Sequence, residues 1–192
     1  MTEQFFIFTE RFVNFTQADK ELLTSVLTFK QVGAKTELVT LYTVTDELFF
    51  ISKGCVRKYY VKDGQQITTN ILTENNFIGA FTSFITGSKS TETIECLEPC
   101  EILVLRKRDL DRLYKQIPLM NEFIRKILEQ TLIHFQQVLT SFTLDNPEER
   151  YEKILFESPQ ILQRVPQHML ATYLGITATS LSRIRKRILE KA

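Results

Sequence analysis

Between residues 28 and 105 the chain switches repeatedly between short β-rich runs and turn residues, and this pattern limits the fold more than any other. Seven runs stand out, at 29–32, 37–42, 47–53, 55–61, 65–72, 92–97 and 100–105. They are joined by Gly33-Ala34-Lys35, Gly54, Asp63-Gly64 and Glu98-Pro99. Asp63-Gly64 is the strongest hairpin signal, because a two-residue turn needs positive φ at its centre and Asp and Gly tolerate it. No helical pattern separates the runs, so parallel β/α units are not expected. The spacing predicts seven or eight short strands in a roll or sandwich.

Helical patterns flank this region and make the whole an α+β chain. Phe5, Phe6, Phe8, Phe12 and Phe15 predict a helix lying on the following domain. Residues 16–27 predict a short helix carrying Leu22, Leu23, Val26 and Leu27. Residues 106–117 open with Arg106, Lys107 and Arg108 and read as a helix with a solvated basic start. Pro118 restarts a helix, and 119–142 holds no Gly or Pro. One apolar stripe there runs through Ile124, Leu128, Phe135, Val138 and Phe142, a second through Phe123, Ile127, Leu132 and Leu139. Two stripes need two partners: the β-domain and a symmetry-related copy of the helix. The alternative is one broad core face in a monomer. Asp145 or Asn146 then caps a new helix with Pro147 early and Glu148 and Glu149 in its first turn. Tyr151, Ile154 and Leu155 give that helix an apolar face, and Ser158-Pro159 ends it. The expected domains are 1–117, a long helix over 118–143, and 144–192.

The final segment, 165–188, reads as two helices joined by a tight turn. Pro166 suits a first helical position. Met169, Leu170, Tyr173 and Leu174 recur at helical spacing. Gly175 sits where the chain leaves that helix, in the left-handed conformation Gly adopts most cheaply. Ile176 is an apolar plug, and Thr177 is an N-cap. In the second helix Leu181, Ile184 and Ile188 share one face. At about 100° per residue, Thr179, Ser182, Arg183 and Lys186 fall opposite, with Arg187 beside them. Such a face suits a major-groove recognition helix: hydroxyls reach base edges, Arg pairs with guanine, and cations neutralise phosphates. Thr177, Thr179, Ser180, Ser182, Arg183, Arg185, Lys186 and Arg187 are the candidate DNA contacts. A solvated basic helix on an ordinary helical domain is the plainer alternative.

Charge supports the DNA reading. The whole chain has 24 Lys and Arg against 23 Asp and Glu, yet residues 163–192 carry six cations against Glu190 alone. The remainder is correspondingly acidic, so a nucleic-acid-facing end joins a body with another task. The start, MTEQFFIFTERF, lacks a basic lead and does not read as a signal peptide, and no apolar run is long enough for a membrane span. Three Cys are too few for a disulfide framework, which places the chain in a reducing, cytoplasmic setting. No nucleophile–base pair, metal-ligand spacing or GxxxxGK[ST] loop is present, so an enzyme is not expected.

Two stretches together resemble the cyclic-AMP receptor and fumarate–nitrate regulator (Crp/Fnr) family of bacterial transcription factors. One is Glu47 to Tyr60 with its Lys53-Gly54 turn, followed by Asn76-Phe77-Ile78-Gly79. The other is 165–188; the segment 163–187 is similar to a subgroup of Bacteroidetes-type bacteria. The resemblance covers nearly the whole chain. It implies a cyclic-nucleotide-binding-like β-roll, a long dimerisation helix and a helix-turn-helix. It also implies a homodimer, double-stranded DNA as partner, and RNA polymerase as a further candidate partner.

The departures are specific. In nucleotide-binding members the cassette runs from Gly-Glu to Arg-Ser, with Glu taking the ribose hydroxyl and Arg the cyclic phosphate. Laid onto this chain, Gly79 matches, but Ala80 replaces the Glu, Ser90 the Arg and Thr91 the Ser. Lys89 stands beside the vacated Arg position. The expectation is a pocket that does not use cyclic AMP. It takes another small molecule, as yet unidentified, or is filled by Phe81, Phe84 and Phe135. Gly79, Ala80, Phe81, Lys89, Ser90, Thr91 and Phe135 are its candidate residues. No metal or other cofactor is expected: Cys55, Cys96 and Cys100 cannot supply the four thiolates of the iron–sulfur branch, and His134 and His168 lie on different helices. Cys96 and Cys100 flank the Glu98-Pro99 turn; buried apolar roles are the default, a redox pair the alternative. At the recognition helix, Arg183 matches the family's guanine-reading Arg, while Ala178-Thr179 replaces its leading Arg-Glu pair, so a different operator is expected. The family also continues into a wing, whereas this sequence runs four residues past Ile188. Phosphate contacts are then expected from Arg185, Lys191 or Arg106–Arg108. The competing function is a ligand-binding or protein-interaction module whose last helices contact a protein.

Overall fold

The alternating runs form β1 (Thr28–Val32), β2 (Glu37–Val39), β3 (Glu47–Lys53), β4 (Val56–Lys62), β5 (Gln65–Leu72), β6 (Asn76–Ile78), β7 (Thr93–Cys96) and β8 (Cys100–Arg106). The computed structural model describes residues 2–191, the side chain of Lys191 excepted. Two antiparallel sheets result, ordered β1-β8-β3-β6 and β2-β7-β4-β5. Asp63 and Gly64 both take positive φ, and their turn sets Lys62 opposite Gln65. β2 stops three residues short of the expected run, because the chain bends through Tyr42 at φ 64°. β6 pairs with β3 but is only three residues long, too short for a periodic pattern to reveal.

Successive side chains of a strand point to opposite faces, and β3 is buried on both. Phe49 and Ile51 enter the space between the sheets with Val56, Ile78, Ile94 and Ile102. Leu48 and Phe50 face a helical layer made of α1 (Glu3–Thr9), α2 (Gln17–Val26), α4 (Lys107–Gln116) and the start of α5 (Pro118–Leu144). A short α3 (Phe81–Thr86), not anticipated from the sequence, follows β6. The Phe-rich start lies on the roll as expected: the rings of Phe5 and Phe8 each sit 5.2 Å from that of Phe50. Thr16 and Asp19 close a reciprocal capping box at α2, satisfying two backbone donors that a helix start leaves open.

The two stripes of α5 are divided differently from the expectation. Met120 and Phe123 are buried in the roll's helical layer, with Ile124 and Ile127 packed beside them. Leu128, Leu132, Phe135, Leu139 and Phe142 form the other stripe and remain between 46% and 69% exposed. Leu132 and Leu139, grouped above with Phe123, belong instead to this open stripe. Ile127 is the last residue of α5 packed on that buried apolar cluster, and the open stripe begins at Leu128.

After α5 the chain restarts at Asn146, not Asp145. The Asn146 side chain accepts from the N–H groups of Glu148 and Glu149, and the Glu149 carboxylate accepts from Asn146 N–H. Asp145 is engaged by Lys153 and Ser141. α6 (Pro147–Glu157) follows, then a short α7 (Pro159–Arg164) where Ser158-Pro159 predicts only the end of α6. The last two helices are α8 (Gln167–Tyr173) and α9 (Ala178–Lys191). No described helix is long and apolar enough to cross a membrane.

Candidate nucleic-acid interface and sensor cleft

The turn between α8 and α9 is built as a helix-turn-helix. Pro166 is the residue before α8 rather than its first member, with φ fixed near the helical value and ψ still extended. Gly175 takes φ 71°. The following Ile176 N–H donates back to the Ala171 carbonyl at 2.9 Å, closing the end of α8. A Cβ on Gly175 would lie 3.2 Å from the Phe142 ring, so position 175 is constrained by space as well as by conformation. Thr177 Oγ1 accepts from Ser180 N–H at 3.2 Å and starts α9. Leu181 and Ile184 are buried against Leu170, Ala171, Leu174 and Tyr151, which fixes the rotation of α9.

That rotation leaves the polar face outward. Thr177, Thr179, Ser182, Arg183, Arg185 and Lys186 are exposed; Ser180 is half-buried and shares a hydrogen bond with Thr177. Neither Arg183 nor Arg185 meets a carboxylate among the described residues. Lys186 lies 3.8 Å from Glu190, a solvated pair of little strength. Arg187 is different: it binds Glu148 at the start of α6 at 2.8 Å and so ties α9 to the body. Gln167 and His168 at the start of α8 are exposed beside this face. Arg106, Lys107 and Arg108 each have an acidic neighbour, at 3.5–3.6 Å. The Lys191 side chain lies outside the described residues.

The long helix reaches this head directly. Arg150 stacks on Phe142 with its guanidinium 4.8 Å from the ring centroid. It donates to the carbonyls of Asp145 and Leu174, at 2.6 and 3.0 Å. The end of α5, the start of α6 and the helix-turn-helix turn are thereby one knot.

The nucleotide-cassette positions do not converge as a single site. Gly79 and Ala80 are buried in the roll, and a Cβ on Gly79 would meet Leu48 at 2.9 Å. Lys89 and Thr91 are exposed, so Lys89 does not take the place of the missing Arg. Ser90 is buried and self-satisfied, its hydroxyl donating to the Glu92 carbonyl and accepting from Glu92 N–H. Phe84 turns into the roll core and Phe135 stays half-exposed on α5, so neither fills the cassette. What occupies it was not foreseen. Lys58 of β4 donates to the Gly79 carbonyl at 2.9 Å and pairs with Glu92 at 2.9 Å, with Phe81 5.5 Å away. Tyr60 donates to the same Glu92 carboxylate at 2.6 Å. Burial first, and then this hydrogen bond, push the Tyr60 hydroxyl up to about 12. The signal was there in weak form: the strand alternation puts Lys58 and Tyr60 on the same face of β4.

Beside the cassette lies a cleft of about 820 Å³. Lys58 and Phe81 of the roll, His134 and Phe135 of α5, Arg150 of α6 and Tyr173 of α8 all line it. Roll, long helix and head face a common space there. Cys55, Cys96 and Cys100 are buried free thiols. Burial pushes Cys55 up to about 12, which keeps it protonated and inert. Among the described residues no group of three or more His, Cys, Asp or Glu is placed to hold a metal ion.

A two-sheet roll, a long helix with an open apolar stripe and a helix-turn-helix head define the chain's architecture. Residues 30–117 match the cyclic nucleotide-binding domain family. The fold, an antiparallel β-roll followed by a long helix and C-terminal helices, is that of solved Crp/Fnr-family regulators. It is 24% identical over 111 residues to the transcriptional regulatory protein btr of Bordetella pertussis. That match covers 52% of this chain and 46% of btr, so the chain spans about half the length of this curated relative. FixK2 of Bradyrhizobium japonicum is 14% identical and superposes with a TM-score of 0.75, covering 86% of each chain. A Crp/Fnr-family regulator from Eubacterium rectale is 15% identical with a TM-score of 0.70, over 92% of this chain and 85% of its own.

Proposed function

We propose that this chain is a homodimeric, sequence-specific DNA-binding transcription regulator, with a sensory roll over 1–117, a dimer helix over 118–143 and a DNA-binding head over 144–192. The observation that carries it is the outward face of α9, where Thr179, Ser182, Arg183 and Lys186 stand exposed on a helix whose other side is locked by Leu181 and Ile184. The regulators of matching fold support the same reading. Arg183 is the base-reading candidate and Lys186 a phosphate contact; Arg187 is set back by its bond to Glu148. The open stripe of α5 supports the dimer. Its spacing of four, three, four and three residues is a heptad seam, with Leu132 and Leu139 alternating with Leu128, Phe135 and Phe142.

The cassette does not suit a cyclic nucleotide. Ala80 and Ser90 remove the ribose acceptor and the phosphate cation, each a charge-assisted contact worth ~1.5–3 kcal/mol. At ~1.4 kcal/mol per tenfold, affinity falls by roughly two to four orders of magnitude. Glu92 adds a buried carboxylate beside the cassette, and Lys58 is already spent on it. The effector is therefore another small molecule, and the cleft beside the cassette is its place. A molecule there touches sensor, helix and head together.

The test is DNA retention measured against salt. Arg183→Ala should abolish preference for a selected operator. Lys186→Ala should weaken binding to all sequences and reduce the salt slope by about one unit. A slope near zero for the parent protein would instead assign the last helices to a protein partner, because phosphate neutralisation must release counterions.

A further inference from the structure

One side chain of the head, Arg164, is gripped by two carboxylates of the roll. Arg164 ends α7, three residues before α8 begins. Its Nη1 and Nη2 donate to the two carboxylate oxygens of Glu74 at 2.9 and 2.8 Å. Its Nε donates to Glu98 at 3.3 Å, and Nη2 also reaches the Glu98 carboxylate. Glu74 belongs to the turn between β5 and β6, and Glu98 to the turn between β7 and β8. Glu74 is itself fixed by the Gly54 N–H at 2.8 Å, in the turn between β3 and β4. Three turns of the roll thus converge on a residue of the head. Further along, Thr68 N–H of β5 donates to Thr172 Oγ1 of α8 at 3.2 Å. Cys55 and Ile71 of the roll share an apolar cluster with Ile161, Val165 and Leu170.

We infer that Arg164 is the positioning residue of the DNA interface: by holding α7 on the Glu74 and Glu98 turns, it sets the angle at which α8 and α9 meet the duplex. This rests on the proposed dimeric DNA-binding function. The bidentate grip explains the choice of Arg, since a planar fork fixes direction where an ammonium fixes only distance. The recognition face stays exposed while the clamp is closed. The apolar contacts between head and roll are non-directional, and the Thr68–Thr172 hydrogen bond fixes a single point of α8. The clamp supplies the direction. In a two-fold dimer, a fixed head angle becomes a fixed half-site separation.

The experiment measures binding of the full-length protein to three DNA duplexes: two selected half-sites at the preferred spacing, the same pair moved apart by about half a helical turn, ~5 bp, and one half-site alone. The parent protein should prefer the first over the second. Arg164→Gln should lose roughly tenfold of that preference, ~1.4 kcal/mol, while binding the single half-site within about twofold of the parent protein. Arg164→Lys should recover part of the preference, and Glu74→Gln with Glu98→Gln should reproduce the loss. If Arg164→Gln no longer unfolds cooperatively, Glu98→Gln alone carries the same prediction at smaller size. Unchanged spacing preference in variants that bind the half-site normally would overturn the inference. Absence of DNA binding by the parent protein would overturn the proposed function, and this inference with it.

Discussion

Replacing Leu132 by Ala tests the dimer seam where its energy can be worked out. Leu132 is 69% exposed in the protomer. Fully burying a Leu side chain is worth ~1.5–3 kcal/mol, so covering the exposed part contributes roughly 1–2 kcal/mol per copy. Two-fold symmetry places the same residue on both sides, which doubles the sum to about 2–4 kcal/mol per dimer. Leu132→Ala removes most of this and should weaken the dimer roughly 30- to 700-fold. Sedimentation velocity over a concentration series reads that change directly. Leu144→Ala is the control: Leu144 is 75% exposed but lies off the heptad seam, and its loss should leave association unchanged. Because neither residue belongs to the protomer core, the stability of the monomeric fraction should move by no more than ~0.5 kcal/mol. A parent protein that stays monomeric at every concentration, or a Leu132→Ala variant that associates as well as the parent, would refute the reasoning.

Two further outcomes follow from the charged groups. Burial works to raise the Glu74 carboxyl, but the hydrogen bonds from Arg164 and Gly54 N–H outweigh it and bring it from 4.5 down to about 2. A folded value below the unfolded one means that this carboxylate supports the docked head fully above pH 4.5 and loses its contribution as pH falls toward 2. Carboxyl NMR titration should place its midpoint well below that of an ordinary Glu; a midpoint near 4.5 would show that the clamp is open in solution. Calorimetry with cyclic AMP and cyclic GMP should show no binding at micromolar concentration, since Glu92 and Lys58 already satisfy one another in the cassette. Sub-micromolar affinity for either nucleotide would overturn that reading.

Long or strongly patterned elements were legible in the sequence because their cause is local. Asp63-Gly64 forces a turn by its own backbone preference, and the missing Gly and Pro in 119–142 allow one uninterrupted helix. Gly175, Ile176 and Thr177 encode the end of one helix and the start of the next in three consecutive residues. The elements that escaped notice, β6, α3 and α7, are three to six residues long. Short helices are not stable on their own pattern and exist where tertiary packing holds them. The stripes of α5 failed for a related reason: periodicity names the apolar positions but not where packing on the buried apolar cluster ends, and it ends at Ile127.

The same division governs the site. The face of α9 could be read from spacing because a helix carries its own geometry. The residues that fill the cassette could not, because Lys58 meets Glu92 only through the register of β4 against β7, and register is a relation between strands distant in sequence. Arg164 is the extreme case, with partners 66 and 90 positions away on two separate turns. In the sequence it is one cation in a basic tail and counts toward DNA binding. In the fold its charge is consumed by two carboxylates of the roll. Arg187 is likewise diverted, to Glu148. The excess of positive charge that first marked this end of the chain is therefore partly internal. Among the described side chains, Arg183, Arg185 and Lys186 face outward with no bond to the body of the protein, and on these the affinity for a duplex should chiefly depend.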